Sequence, residues 1–260
     1  MAAALPVAGP LEAPPGRYRR LRVRLADGRA TTVHMSAHDA ARTELRVVVL
    51  RSQARLGDWC AARDIQEALV GGFFTRPEGI PLGEVRTRGV ARRSVPFDPP
   101  WRATRTCVHV QGGVARIAAR DALPAAPRGD LLQAGPLLVA GGARAYERAS
   151  DPEGFAAGAR QFDSDITDGR HPRAALGLAP GRILAVACDG RSRHDAGLTL
   201  EELASLMAGL GCETAVNLDG GGSTTLISGG RLRNRPRGDF ERLEPGGRPV
   251  STALVLTPRA

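Results

Sequence analysis

The amino-acid sequence predicts an α+β fold: a mixed, largely β-sheet domain with few helices, including a C-terminal strand-helix-strand unit. Three observations carry that reading. Apolar and polar residues alternate at period two in several short runs punctuated by glycine, proline and Asp-Gly turns. Only residues 199–211 combine the capping, periodicity and stop signals of a strong helix. The 260 residues, 42% of them hydrophobic, suffice for one sizeable core, and no linker divides them.

Taken in order, residues 1–17 read as a proline-interrupted, disordered leader and 18–260 as the folded domain. YRRLRVRLADGRATTVHM forms a hairpin around Asp27-Gly28, and ELRVVVL adds a strand. A short helix is expected over Trp59 to Ala68, with Gly71-Gly72 as its stop or a tight turn. TCVHV and ARIAA suggest a meander, and LLQAGPLLVAGG is an apolar run broken by Gly135-Pro136. Residues 142–172, polar and rich in glycine and aspartate, read as a flexible surface loop. RILAVACDGR is a strand ending in an Asp-Gly turn. The helix follows, with Thr199 and Glu202 as a capping box, Leu203, Leu206, Met207 and Leu210 on one face, and Gly211 as the stop. TAVNL is the next strand, STTLIS and RLR form a hairpin around Gly229-Gly230, and VSTALVL closes the chain.

Composition excludes several function classes. The net charge is +9, yet all 36 basic residues are arginine. Without lysine, a Walker A loop, a Schiff-base mechanism and a kinase-type lysine are ruled out. The arginines are scattered and lack interleaved aromatics, so no nucleic-acid partner is expected, although the surface attracts anions. Cys60, Cys107, Cys188 and Cys212 form no CxxC pair and read as buried free thiols; no zinc site is expected. No membrane span and no signal peptide is evident, which points to the cytoplasm, or to export if the start is truncated.

One segment asks for an explanation beyond folding. NLDGGGSTTL, residues 217–226, places three consecutive glycines after an amide and a carboxylate, at a high ordering cost. A strand, a three-turn helix and a second strand normally make the strands parallel, so Asp189 and Asp219 should emerge along one rim. They are 30 residues apart in sequence. In space they are expected one or two strand spacings apart, about 5 to 10 Å, a range in which paired carboxylates serve glycoside hydrolysis.

HPRAALGL, AVACDGR, GLTLEELASLMAGLGCETAVNLDGGGSTTL and RLRNRP together resemble the phosphodiester glycosidase family. GGFF, PLGEV and QAGPLLVAGG fall upstream in the family's order. Two departures stand out: Val70 where the family usually has asparagine, and Ala174 where it usually has threonine. The resemblance implies cleavage between a sugar's anomeric carbon and a phosphodiester oxygen. A departing phosphate monoester is a weak base, so arginines can take the place of a general acid. Arg191, Arg173 and Arg248 are the candidates to hold the phosphate. Asp219 would be nucleophile or base, with Asp189 its partner or the group that orients an arginine. Asn217 would contact sugar hydroxyls or orient the carboxylate, and Gly220, Gly221 and Gly222 would admit close approach and present amides, with Ser223 bonding the loop. Gly71 and Gly72 join the set through the GGFF match. The implied substrate is a small sugar-phosphate diester or a cell-envelope glycan. No cofactor is required; carboxylates at strand ends also admit Ca²⁺ or Mg²⁺. The alternative function is a non-catalytic sugar-phosphate or glycan-binding protein.

Overall fold

A computed structural model describes residues 17–147, 149–155 and 166–259. The first hairpin forms as its alternation requires, with strands Arg17–Arg24 and Ala30–Asp39 joined through Gly28 at φ +83°. Arg17, assigned to the leader, opens the first strand. These strands belong to a seven-stranded antiparallel sheet. Beyond them, in spatial order, come Arg182–Cys188, Arg173–Ala179, Thr214–Asn217, Leu137–Ala140 and Ala143–Arg144. The C-terminal strand-helix-strand unit is present: Arg182–Cys188 and Thr214–Asn217 run parallel, because each is antiparallel to Arg173–Ala179 between them. They are therefore two strand spacings apart, about 10 Å.

A five-stranded sheet packs across one face, in the order Arg231–Leu232, Leu226–Ser228, Ala68–Val70, Val250–Pro258, Thr43–Ala54. A third sheet orders Val90–Ala91, Val85–Thr87, Asp130–Gln133, Thr106–Gln111 and Val114–Ala119. Leu176, Ala185 and Val216 from the first sheet meet Leu69, Leu254, Val108 and Leu132 from the other two in the main core. On its opposite face Ala175, Val186 and Ala215 pack against the helix Leu200–Gly209 through Leu203, Leu206 and Met207. Burying each of these helix side chains is worth about 1.5–3 kcal/mol. The close approach depends on Gly177, where an added Cβ would lie 2.4 Å from Cys212 Sγ and 2.7 Å from Met207 Cε.

The capping box is complete: Glu202 N donates to Thr199 Oγ1 at 3.1 Å, and Thr199 N to Glu202 Oε2 at 3.0 Å. Arg170 also grips the Glu202 carboxylate and ties the segment before the Arg173–Ala179 strand to the helix start. Thr199→Ala is expected to lower stability by about 1 kcal/mol, read from the denaturant midpoint.

Three local expectations are corrected. The first helix covers Leu56–Ala61, not Trp59 to Ala68. Asp64 takes the left-handed conformation at φ 53°, and Ile65 N closes the helix end on Cys60 O at 3.0 Å, so Ala68 is free to begin a strand. Gly71-Gly72 is neither a helix stop nor a turn but a site of close backbone packing. A Cβ on Gly71 would sit 2.4 Å from Thr252 Oγ1 and 2.8 Å from the Thr252 carbonyl carbon. The stretch 142–172 is not simply a surface loop. Tyr146, Glu153 and Phe155 are buried, and the Glu153 carboxylate accepts from Thr106 N, Thr106 Oγ1 and Leu137 N. Residues 148 and 156–165 of that stretch lie outside the described residues. All four cysteines are buried and free, and burial pushes the Cys60, Cys188 and Cys212 thiols up to about 12. Among the described residues no helix is long and apolar enough to cross a membrane.

Candidate functional site

The parallel strands deliver the DGR and NLDGGGS segments to one rim. After Thr214–Asn217 the chain leaves the sheet at Leu218, whose N–H still bonds Ala174 O at 2.9 Å. Asp219 N then bonds Gly71 O at 3.0 Å, which joins the glycine segment to Gly71-Gly72, just past the Ala68–Val70 strand of the second sheet. Gly221–Ser223 form a single 3₁₀ turn. Side chains are disfavoured at its glycines and at Gly220. A Cβ on Gly220 would meet Pro172 O at 2.9 Å, one on Gly221 would meet Arg191 Nη1 at 2.9 Å, and one on Gly222 would meet Arg248 Nη2 at 3.2 Å. Gly221 also has φ +59°. The glycines thus make room for two guanidinium groups.

Asp219 sits at the head of this turn, partly buried. Its Oδ1 accepts Gly220 N at 2.9 Å, and the Ser223 hydroxyl also bonds the carboxylate. Burial is the dominant influence and raises its pKa from 3.8 to about 6; the Ser223 and Gly220 hydrogen bonds and the charges of Arg248 and Arg76 oppose the rise. Arg248 N bonds Gly222 O at 2.8 Å, anchoring that arginine's backbone to the turn.

Arg191 reaches the turn from the other parallel strand. Its backbone is left-handed, φ 54°, an uncommon state for a side chain of this size. Its Nε donates to His171 Nδ1 at 3.2 Å and its Nη1 to the carbonyls of Arg237 and Gly238. Arg237 and Gly238 belong to the hairpin Arg237–Asp239 and Arg242–Leu243, which covers the 3₁₀ turn: a Cβ on Gly222 would be 3.2 Å from Gly238 Cα.

Asp189 is held differently. It is 3% exposed; Oδ2 faces His34 Nε2 at 3.0 Å and Oδ1 accepts Arg235 N at 2.6 Å. His34 Nδ1 in turn meets the Tyr18 hydroxyl at 2.8 Å. Strand alternation turns the ends of the two strands to opposite faces. Ala187 belongs to the main core and Ala215 to the helix side, so Asp189 continues one face and Asn217 the other. The rim is shared, but each carboxylate has its own partners.

Arg173 is 3% exposed and donates to the carbonyls of Leu198, Ile166 and Gly169, so it braces the segments around the rim. Asn217 is buried and gives Nδ2 to Gly135 O at 2.9 Å, while its Oδ1 has no partner among the described residues. Gln133 holds Arg102 O and Glu84 N, a structural clasp. Among the described residues no group of three or more His, Cys, Asp or Glu is placed to hold a metal ion.

A family model described as phosphodiester glycosidase matches residues 63–257. The chain belongs to this family. The phosphodiester glycosidase match begins after the N-terminal hairpin, so Tyr18 and His34 lie upstream of it. Among solved structures the fold is similar to the catalytic domain of zebrafish N-acetylglucosamine-1-phosphodiester alpha-N-acetylglucosaminidase auto-inhibited by its pro-peptide. The TM-score is 0.70 at 18% identity, over 97% of this chain and 87% of that one. A putative exported protein from Burkholderia pseudomallei K96243 has a TM-score of 0.65 at 19% identity over 89% and 74% of the two chains. Among curated proteins, the SPbeta prophage-derived uncharacterized protein YomE of Bacillus subtilis (strain 168) is 36% identical over 74 residues. That stretch is 28% of this chain and 12% of YomE.

At the two positions that depart from the usual phosphodiester glycosidase pattern, Val70 and Ala174 are fully buried in the main core. Three residues that the sequence does not single out surround this rim. Arg76 acts on the charge of Asp219, His171 holds Arg191, and Thr252 packs on Gly71. Of these, only His171 carried a signal, as the first residue of the HPRAALGL motif.

Proposed function

We propose that the protein hydrolyses the bond between a sugar's anomeric carbon and a phosphodiester oxygen at the Asp219 turn. The supporting observation is the convergence of Asp219, Arg191 and Arg248 on Gly220–Gly222. Arg191 and Arg248 bind the phosphate and offset charge on the departing oxygen. Asp219 serves the anomeric carbon, as nucleophile or as the base that takes a proton from water, since a carboxyl with a pKa of about 6 is ionised at neutral pH. The departing phosphate monoester is a weak base and leaves without a dedicated carboxylic acid. Asp189, with both oxygens engaged, is the group that fixes the Asp189-Gly190-Arg191 turn and so aims Arg191. Asn217, Ser223, Gly71 and Gly72 shape the walls of the same rim. The substrate class is a small sugar-phosphate diester or a cell-envelope glycan carrying such a link.

The test is hydrolysis of a panel of sugar 1-phosphodiesters by the purified chain. kcat/KM is expected to rise with pH along an acid limb near 6. Arg248→Ala is expected to raise KM about 10–100-fold, with buried charge-assisted hydrogen bonds as the guide to magnitude. It should also move the acid limb to higher pH, because the Arg248 charge lowers the Asp219 pKa. No turnover on any diester, together with retained binding of the panel, would favour the alternative of a glycan-binding protein.

A further inference from the structure

Arg191 is given its direction by a neighbour outside the proposed catalytic set. The Nε2 of His171 lies 2.6 Å from the backbone oxygen of Asp168, and a carbonyl can only accept. Nε2 therefore carries a proton. On the other side of the ring, Arg191 Nε lies 3.2 Å from His171 Nδ1, and a guanidinium can only donate. Nδ1 therefore presents a lone pair. The two contacts specify one neutral tautomer and one orientation of the ring.

The surroundings hold the histidine backbone as firmly. His171 and Leu198 exchange both backbone hydrogen bonds, at 3.2 and 3.1 Å. Gly190 and Gly197 flank it without side chains, where a Cβ would come within 2.9 Å of the His171 carbonyl carbon and 2.5 Å of its oxygen respectively. Gly190 is also the residue before Arg191. The DGR turn and the histidine are thus packed backbone to backbone, and the ring is locked from its far side by Asp168. Arg191 is gripped between this ring and the carbonyls of Arg237 and Gly238, with its Nη1 over Gly221.

We propose that His171 is a positioning residue that aims the Arg191 guanidinium at the phosphate of the substrate, by accepting from Arg191 Nε through an Nδ1 whose lone pair is fixed by the Nε2–H bond to Asp168. This rests on Arg191 holding the phosphate, as argued for the proposed reaction. The bond itself is independent of that reading.

Two substitutions separate the roles. In His171→Asn the amide oxygen falls close to the place of Nδ1 and keeps an acceptor; in His171→Leu the acceptor is lost at similar bulk. Nitrogen-15 NMR of the wild-type chain is expected to show His171 as the Nε2–H tautomer, and the Arg191 Nε–H as a hydrogen-bonded resonance that survives in H171N and disappears in H171L. Titration with inorganic phosphate, used as the probe, is expected to show binding weakened about tenfold in H171L and restored to within about threefold in H171N. In an R191A background the same His171 substitutions are expected to add no further loss, as a shared pathway requires. An Nδ1–H tautomer, or an Arg191 Nε–H unchanged in H171L, overturns the proposal. So does equal phosphate loss in H171N and H171L. If R191A binds phosphate like the wild type, the assignment of Arg191 to phosphate fails, and with it the positioning role, while the NMR result still reports whether the His171–Arg191 bond exists.

Discussion

Replacing Asp219 by asparagine is expected to remove turnover and to stabilise the fold at the same time. Turnover should fall about 10²–10⁴-fold, the usual contribution of a positioned acid or base, and further if the carboxylate is the nucleophile. The stability effect follows from linkage. The folded chain holds the Asp219 proton more tightly than the unfolded chain, with a pKa of about 6 against 3.8. Stability contributed by the protonated group is therefore fully present below about pH 4 and lost as pH rises through about 6. The difference corresponds to about 3 kcal/mol of penalty at neutral pH. Asparagine never ionises, so Asp219→Asn should gain up to about 3 kcal/mol over wild type at pH 7.5 and almost nothing at pH 4. Its side-chain oxygen can still accept from Gly220 N. Urea midpoints at the two pH values check the expectation. A stability difference that does not change with pH would mean that the Asp219 carboxylate is not held against its own ionisation.

The parts of this architecture legible in the sequence were those decided locally. The capping box at Thr199 and Glu202 and the apolar face at Leu203, Leu206 and Met207 obey rules that span three or four residues, and the helix forms where they place it. Parallel delivery of Asp189 and Asp219 to one rim also follows from the local strand-helix-strand order. What the sequence hid were an unusual backbone conformation and the choices made by distant residues. The end of the first helix depends on Asp64 taking a conformation usually left to glycine. The role of Gly71-Gly72 depends on Thr252, 180 residues away in the hydrogen bond between Gly72 N and its side chain. The partners of the two carboxylates are set in the same way: Asp189 meets His34, 155 residues away, while Asp219 bonds the glycine next to it.

The second large effect distinguishes those carboxylates. Asp189→Ala is expected to lower stability by about 2–4 kcal/mol, with about 1–3 for a buried donor left without its acceptor. It leaves the buried His34 Nε2 and the part-buried Arg235 amide without their acceptor. Asp189→Asn should be milder, about 1–2 kcal/mol. Its oxygen can keep the Arg235 amide, and its NH₂ can donate to His34 if the imidazole proton moves to Nδ1, where the Tyr18 oxygen accepts it. Because this substitution preserves the pin, the folded D189N protein should retain turnover within about tenfold of wild type, whereas D219N should not. Urea midpoints and turnover of both variants, measured on one preparation at pH 7.5, decide between the roles. A D189N variant as stable as wild type but without turnover would make Asp189 a reacting group. A variant destabilised yet active places it behind Arg191, with its contacts to His34 and the Arg235 amide holding the segment that carries Arg191.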